Sequence, residues 1–128
     1  MGNQSLTMAV QRATFEDVRA NVSNRTGLLI SVLAETDQQV LIGGTVPCVD
    51  EVAEVEKAIH EKKEIIVYGT NNHDERVLTK YHQLKKLGGL PKVYVGGLFE
   101  WILLQEFYGK ERFALTTYDF DLYQYRPK

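Results

Sequence analysis

Two places along the chain gather residue types that can do chemistry. The first is the segment Gly69, Thr70, Asn71, Asn72, His73, Asp74, Glu75 and Arg76, directly after the apolar run Ile65-Ile66-Val67-Tyr68. A strand that ends in glycine and a polar loop, with a helix starting near Asp74, aims backbone N–H groups and a helix N-terminus at one point. Such a cradle can hold an anion. An ordinary strand-to-helix turn has the same outline, so the segment is a binding-loop candidate on position. The second place is Cys48, the one cysteine of the chain, which follows Pro47 where a helix is expected to begin. A helix N-terminus favours the thiolate form of a cysteine. The plainer reading of Cys48 is a small buried residue in a loop, where free cysteines commonly sit.

Other candidates are thinner. Thr70 as a nucleophile needs a base, and His73 is near it in sequence with nothing to aim its ring at the hydroxyl. The three histidines, His60, His73 and His82, lack metal-ligand spacing. The run Asn72-His73-Asp74 offers ligands, but no second His or Cys stands four residues on, so neither metal nor cofactor is expected.

The chain that must position these groups has 128 residues, 44% of them apolar, which suffices for one compact domain with a core and is too short for two. Fifteen Lys and Arg against 17 Asp and Glu give a net charge of −2. Without a basic stripe, Lys85-Lys86 being the nearest thing to one, no nucleic-acid partner is expected. A single cysteine excludes an internal disulfide and fits a reducing compartment. The start, Met1-Gly2-Asn3-Gln4-Ser5, has neither the basic nor the apolar region of a signal peptide, and an intracellular, cytoplasmic protein is expected. Gly2 lacks the Ser or Thr that acylation would want at position 6, which holds Leu6. Leu28-Leu29-Ile30 and Trp101-Ile102-Leu103-Leu104 are far too short for a membrane span.

The spacing predicts a flexible segment over 1–13 and a single domain over 14–128. A helix opens at Thr14, with Asp17 three residues on and Phe15, Val18 and Val22 on one face. A buried strand follows over 28–33, then a second short apolar run, Val40-Leu41-Ile42. A helix over 50–60 should bury Val52, Val55 and Ile59. The strand over 65–68 leads through the loop to a helix over 74–87 with Val77, Tyr81, Leu84 and Leu87 on one face, stopped by Gly88-Gly89. A strand over 92–95, a helix over 98–108 and an aromatic tail over 113–125 complete the chain. Strands alternating with helices predict an α/β fold, a parallel sheet with helices on both faces.

One segment carries a resemblance. Val93-Tyr94-Val95-Gly96-Gly97-Leu98-Phe99-Glu100-Trp101 places two glycines after a strand and a tryptophan one turn into the following helix. With the helix near Thr14, the strand Leu28-Leu29-Ile30-Ser31-Val32-Leu33, and the strand and loop at 65–76, the chain resembles the rhodanese-like domain family from about Thr14 to Tyr108. Gly96, Gly97 and Trp101 are its most specific marks. The resemblance implies a parallel central sheet with helices on both faces and a catalytic cysteine at the first loop position, which takes up sulfur as a persulfide. That position here holds Gly69. The family's loop reaches an arginine sooner than Arg76, and an acid and a base it places at the end of the early strand fall on Ser31 and Leu33. Asp74 and Glu75 add negative charge where an anionic sulfur donor would come.

The resemblance therefore implies a pseudoenzyme with the sulfurtransferase fold: a catalytically inactive binding or regulatory module that meets a protein partner through the loop. Two other readings stand beside it. One is an active thiosulfate sulfurtransferase or other thiol enzyme using Cys48. The other is an oxyanion or phosphate sensor, or at least a weak anion site, built on Thr70 and the loop amides. Trp101 is expected to pack on the sheet. Tyr118, Phe120, Tyr123 and Tyr125 of the tail are expected to pack on their own domain; unpacked, they would form a docking or homodimer surface.

Overall fold

In the computed structural model residues 10–128 are described. Four strands, β1 (Arg12–Ala13), β2 (Gly27–Ser31), β3 (Glu64–Tyr68) and β4 (Leu90–Tyr94), form one sheet in the order β1-β4-β3-β2, and every pair in it is parallel. The helices are α1 (Phe15–Asn24), α2 (Glu51–His60), α3 (Arg76–Lys86) and α4 (Gly97–Tyr108). None of the described helices is long and apolar enough to cross a membrane.

β3 lies between two neighbours, so its apolar run is buried on both faces: Ile65, Ile66, Val67 and Tyr68 are fully enclosed. Alternation along the strand divides the core in two. Ile66 and Tyr68 join Val18 of α1, Leu98, Trp101 and Ile102 of α4, and Phe113. Ile65 and Val67 join Ile30 of β2, Val55 and Ala58 of α2, and Leu84 of α3. Helices α1 and α4 thus cover one face, and α2 and α3 the other. The expected start of α1 is present as a reciprocal cap: Asp17 N donates to Thr14 Oγ1 at 3.2 Å and Thr14 N to Asp17 Oδ2 at 2.8 Å.

Several expectations need correction. The segment expected to be flexible through residue 13 is ordered by Arg12, because β4 supplies β1 with a partner: Val93 N donates to the Gln11 carbonyl at 2.9 Å. The reading of Gly2 lies outside the described residues. β1 meets only Val93 and Tyr94, so among the described residues no strand faces the missing N–H of Pro91, two residues earlier on the same side of β4. Val40–Ile42 is not a strand of the sheet; Ile42 makes a single antiparallel bridge to Leu115 of the tail. The helix expected from Asp50 begins at Glu51, after a 3-10 turn over Cys48–Asp50. Val52 and Leu87, expected in buried stripes, are 72% and 65% exposed. Each helix touches the sheet along a narrow line, Val55 and Ala58 on α2 and Tyr81 and Leu84 on α3, and Val52 and Leu87 fall beside it.

The tail packs on its own domain only in part: Phe120 and Tyr125 do, whereas Tyr118 and Tyr123, expected to pack as well, are 41% and 68% exposed. Phe113 meets Trp101 edge-on with centroids 5.0 Å apart, Trp101 Nε1 donates to the Ala114 carbonyl at 2.9 Å, and Tyr125 is buried.

Candidate functional site

The loop leaves β3 at Gly69 and enters α3 at Arg76, and it is held from three sides. Above it, Tyr68 anchors the strand end. Its hydroxyl accepts from Ile42 N at 3.1 Å and lies 2.7 Å from Thr45 Oγ1, which itself donates to the Ile42 carbonyl. Tyr68 is therefore the donor to Thr45. Burial pushes its phenol well above the ordinary range despite these bonds, so the group is a neutral hydroxyl tie.

From below, the start of α4 presses on the loop. Leu98 N donates to the Gly69 carbonyl and Phe99 N to the Thr70 carbonyl, both at 2.9 Å. Gly97 has φ +66°, and a Cβ there would stand 2.6 Å from the Gly69 carbonyl oxygen and 3.0 Å from Asn71 N. Only glycine allows both this backbone conformation and this approach. That is the physical content of the second glycine of the pair ahead of Trp101. The free amides of the helix's first turn are spent on the loop's own carbonyls, not on an anion.

From the side, the end of the tail straps the loop. Asn71 Nδ2 donates to the Tyr125 carbonyl at 2.8 Å, and His73 Nδ1 lies 3.3 Å from the Lys128 carbonyl. Asn71 Oδ1 in turn accepts from His73 N at 2.9 Å, closing a side-chain turn.

At the centre lies the carboxylate of Asp74, its side chain 6% exposed. Oδ2 accepts from Thr70 N at 2.9 Å and from Arg76 Nη2 at 2.7 Å; Oδ1 accepts from Arg76 Nε at 2.8 Å and from Arg76 N at 3.2 Å. Burial alone would raise this carboxyl. The Arg76 and Thr70 hydrogen bonds and the Arg76 charge together outweigh it and hold the group at about 2. A Cβ on Gly69 would stand 2.5 Å from Asp74 Oδ2 and 2.8 Å from its Cβ, so a side chain at position 69 would have to displace that of Asp74.

The structure thus gathers residues 69–76 around one carboxylate. Of the loop's amides, Thr70 N and Arg76 N donate to Asp74, while His73 N and Asp74 N donate to Asn71. Thr70 Oγ1 accepts from Arg76 Nη2 at 3.3 Å, while the His73 ring turns to the tail, so the pairing a Thr70 nucleophile would need is not formed. Asn72 and Glu75 are exposed at the loop's outer side. A cleft of about 360 Å³ separates the loop from the β1 edge, with Val10, Leu78 and Val95 among its walls.

Cys48 is exposed, which corrects the buried reading. It lies in the turn ahead of α2 and lines a separate cleft of about 330 Å³ with Ser31, Gln38, Arg76 and Lys80. Arg76 is the residue that both places share. Ser31 Oγ accepts from Leu33 N at 3.1 Å, a local turn at the end of β2. His60 ends α2 and His82 stands edge-on to Tyr81 in α3, each on a different element from His73. Among the described residues no three His, Cys, Asp or Glu side chains cluster as metal ligands.

Asp74, expected as a charge that opposes anions, lies in the cradle itself, accepting from Thr70 N and Arg76. The spacing does hold a signal: a glycine at the strand end, an aspartate five residues on, and an arginine two beyond that.

No family model matches the chain, and no curated protein matches it. Solved structures do. A full-length protein from Lactobacillus plantarum is 20% identical with a TM-score of 0.59, over 82% of this chain and 95% of its own. Reduced CoADR-RHD from Bacillus anthracis is 21% identical with a TM-score of 0.59, over 81% of this chain and 18% of its own. Thiosulfate sulfurtransferase from Pseudomonas aeruginosa is 18% identical with a TM-score of 0.56, over 76% of this chain and 19% of its own. The fold of the chain is rhodanese-like, an α/β fold with a four-stranded parallel sheet.

Proposed function

We propose that the chain is a catalytically inactive rhodanese-like domain, a binding or regulatory module that presents residues 69–76 to a protein partner. The observation that carries this reading is the Asp74 carboxylate. It takes Thr70 N and the donors of Arg76 and lies against Gly69, where the resemblance places the family's thiol. A sulfur donor such as thiosulfate would find Thr70 N and the Arg76 guanidinium already bonded to a carboxylate held at about 2, ionised at any working pH. What the loop still offers is recognition: exposed Asn72, His73 and Glu75 beside a cleft with apolar walls. The exposed lone thiol of Cys48 fits a reducing, cytoplasmic setting.

A second reading rests on the exposure of Cys48 beside Arg76 and Lys80. There the Cys48 thiolate would attack the outer sulfur of thiosulfate, release sulfite, and pass the sulfur to cyanide as thiocyanate. A thiosulfate-to-cyanide assay separates the two readings. The binding-module reading expects no turnover above the uncatalysed rate in wild type or in Cys48→Ser. Turnover that disappears in Cys48→Ser would make the protein an enzyme and end that reading.

A further inference from the structure

We infer that the face formed by α2 and α3 is the interface of a two-fold homodimer. Between these helices runs a groove of about 370 Å³ with Val52, Val55 and Ile59 on the α2 side and Leu84 and Leu87 on the α3 side. Val52 and Leu87, the two apolar side chains that overhang it, are 72% and 65% exposed, and Val49, three residues ahead of Val52, is 84% exposed. Large apolar side chains exposed together along one groove mark a surface that is covered in use.

Charge identifies the cover as a second copy. Helix α2 carries Glu51, Glu54 and Glu56 against Lys57, whereas α3 carries Arg76, Lys80, Lys85 and Lys86 and no acidic residue. Within one chain only part of this is used: Lys80 Nζ bonds Glu51 Oε2 at 2.5 Å across the groove, and Arg76 serves Asp74. Glu56 on the acidic wall and Lys86 on the basic side remain exposed, and neither joins an ion pair among the described residues.

The two helices lie side by side and end together; a Cβ on Gly89, just past α3, would contact Ile59 of α2 at 3.4 Å. A two-fold axis along the groove therefore sets the α2 of each copy on the α3 of the other. Acidic wall then meets basic wall twice, and Val52 and Leu87 of both copies close over one apolar seam. This is the self-complementary pattern of an isologous contact. Neither the loop nor the aromatic tail takes part, so the dimer leaves residues 69–76 to another partner.

Sedimentation equilibrium on the full chain from about 10 μM to about 500 μM, a span that resolves weak self-association, tests this. Wild type is expected to shift from one to two chain masses across the range, with less dimer at high salt. Val52→Ser/Leu87→Ser, both at exposed positions, should stay folded by circular dichroism and monomeric. Glu56→Lys alone and Lys86→Glu alone should each weaken the dimer several-fold by setting like charges on facing walls. An equimolar mixture of the two restores opposite charge at both contacts and should recover mixed dimer. Wild type that stays monomeric throughout overturns the inference. So does a dimer that ignores the Val52/Leu87 and charge variants, which would belong to the tail or another face, and so does a mixture that fails to recover.

Discussion

The two faces of the sheet are covered differently. On one, α1, α4 and the tail close over a core with four aromatic residues in sequence of contact: Tyr94 meets Trp101 edge-on, Trp101 meets Phe113 likewise, and Phe15 lies against Phe113. On the other, α2 and α3 lie over a smaller aliphatic core of Ile30, Ile65, Val67, Val55, Ala58 and Leu84, with valine and leucine left outside. The loop after β3 is held from the first face through α4 and the tail, and from the second through Arg76 at the start of α3. The sealed face ties the loop down through α4 and the tail, and the open face has apolar surface left for an encounter.

Mutation can break or sharpen that contrast. The largest effect is expected at Trp101→Ala, which removes a fully buried aromatic and the Nε1 bond to Ala114; denaturant unfolding should show a loss of about 3–5 kcal/mol. Next comes Gly69→Cys, which forces a Cβ against Asp74 and should cost about 1–3 kcal/mol by the same measurement. Adding Asp74→Ala to it should recover part of that loss, so a double-mutant cycle gives a coupling of favourable sign; simple additivity would show that the two positions do not meet.

The Asp74 carboxylate makes a smaller, pH-dependent contribution. Its folded pKa of about 2 lies below the ordinary 3.8, so the stability it brings is complete above pH 4 and is lost as pH falls towards 2. Over that window wild type should lose stability more steeply than Asp74→Asn, as thermal melts at each pH would record. Equal slopes would remove Asp74 from the loop's electrostatics. The smallest effect is expected on the open face: in the monomer, Val52→Ser/Leu87→Ser should change unfolding free energy by about 0.5 kcal/mol or less.

How much of this the sequence disclosed depends on where each residue's partners lie. Ile65-Ile66-Val67-Tyr68 is legible because a strand buried on both faces needs an unbroken apolar run. The cap at Thr14 and Asp17 is legible because its bonds are local. β1 was not, since Arg12–Ala13 has no apolar pattern and is a strand only because β4 lies beside it. Val40–Ile42 misled in the opposite direction: it is apolar because it is buried, but its partner is the tail. In the site, position 69 and the neighbouring charges could be read directly. That the Asp74 side chain folds back on Gly69 could not, because the turn depends on bonds from Thr70 and Arg76 and on the pressure of α4 at Gly97.

The strap across the loop has a practical use. Tyr125 and Lys128 touch Asn71 and His73 through backbone carbonyls, so residues 125–128 are a handle on the site that depends on no side chain of its own. A small environment-sensitive fluorophore on a cysteine placed at Lys128 would sit within reach of the loop. Its signal would report when a ligand lifts the strap or leaves it in place, which turns an optically silent surface into a readout for screening partners.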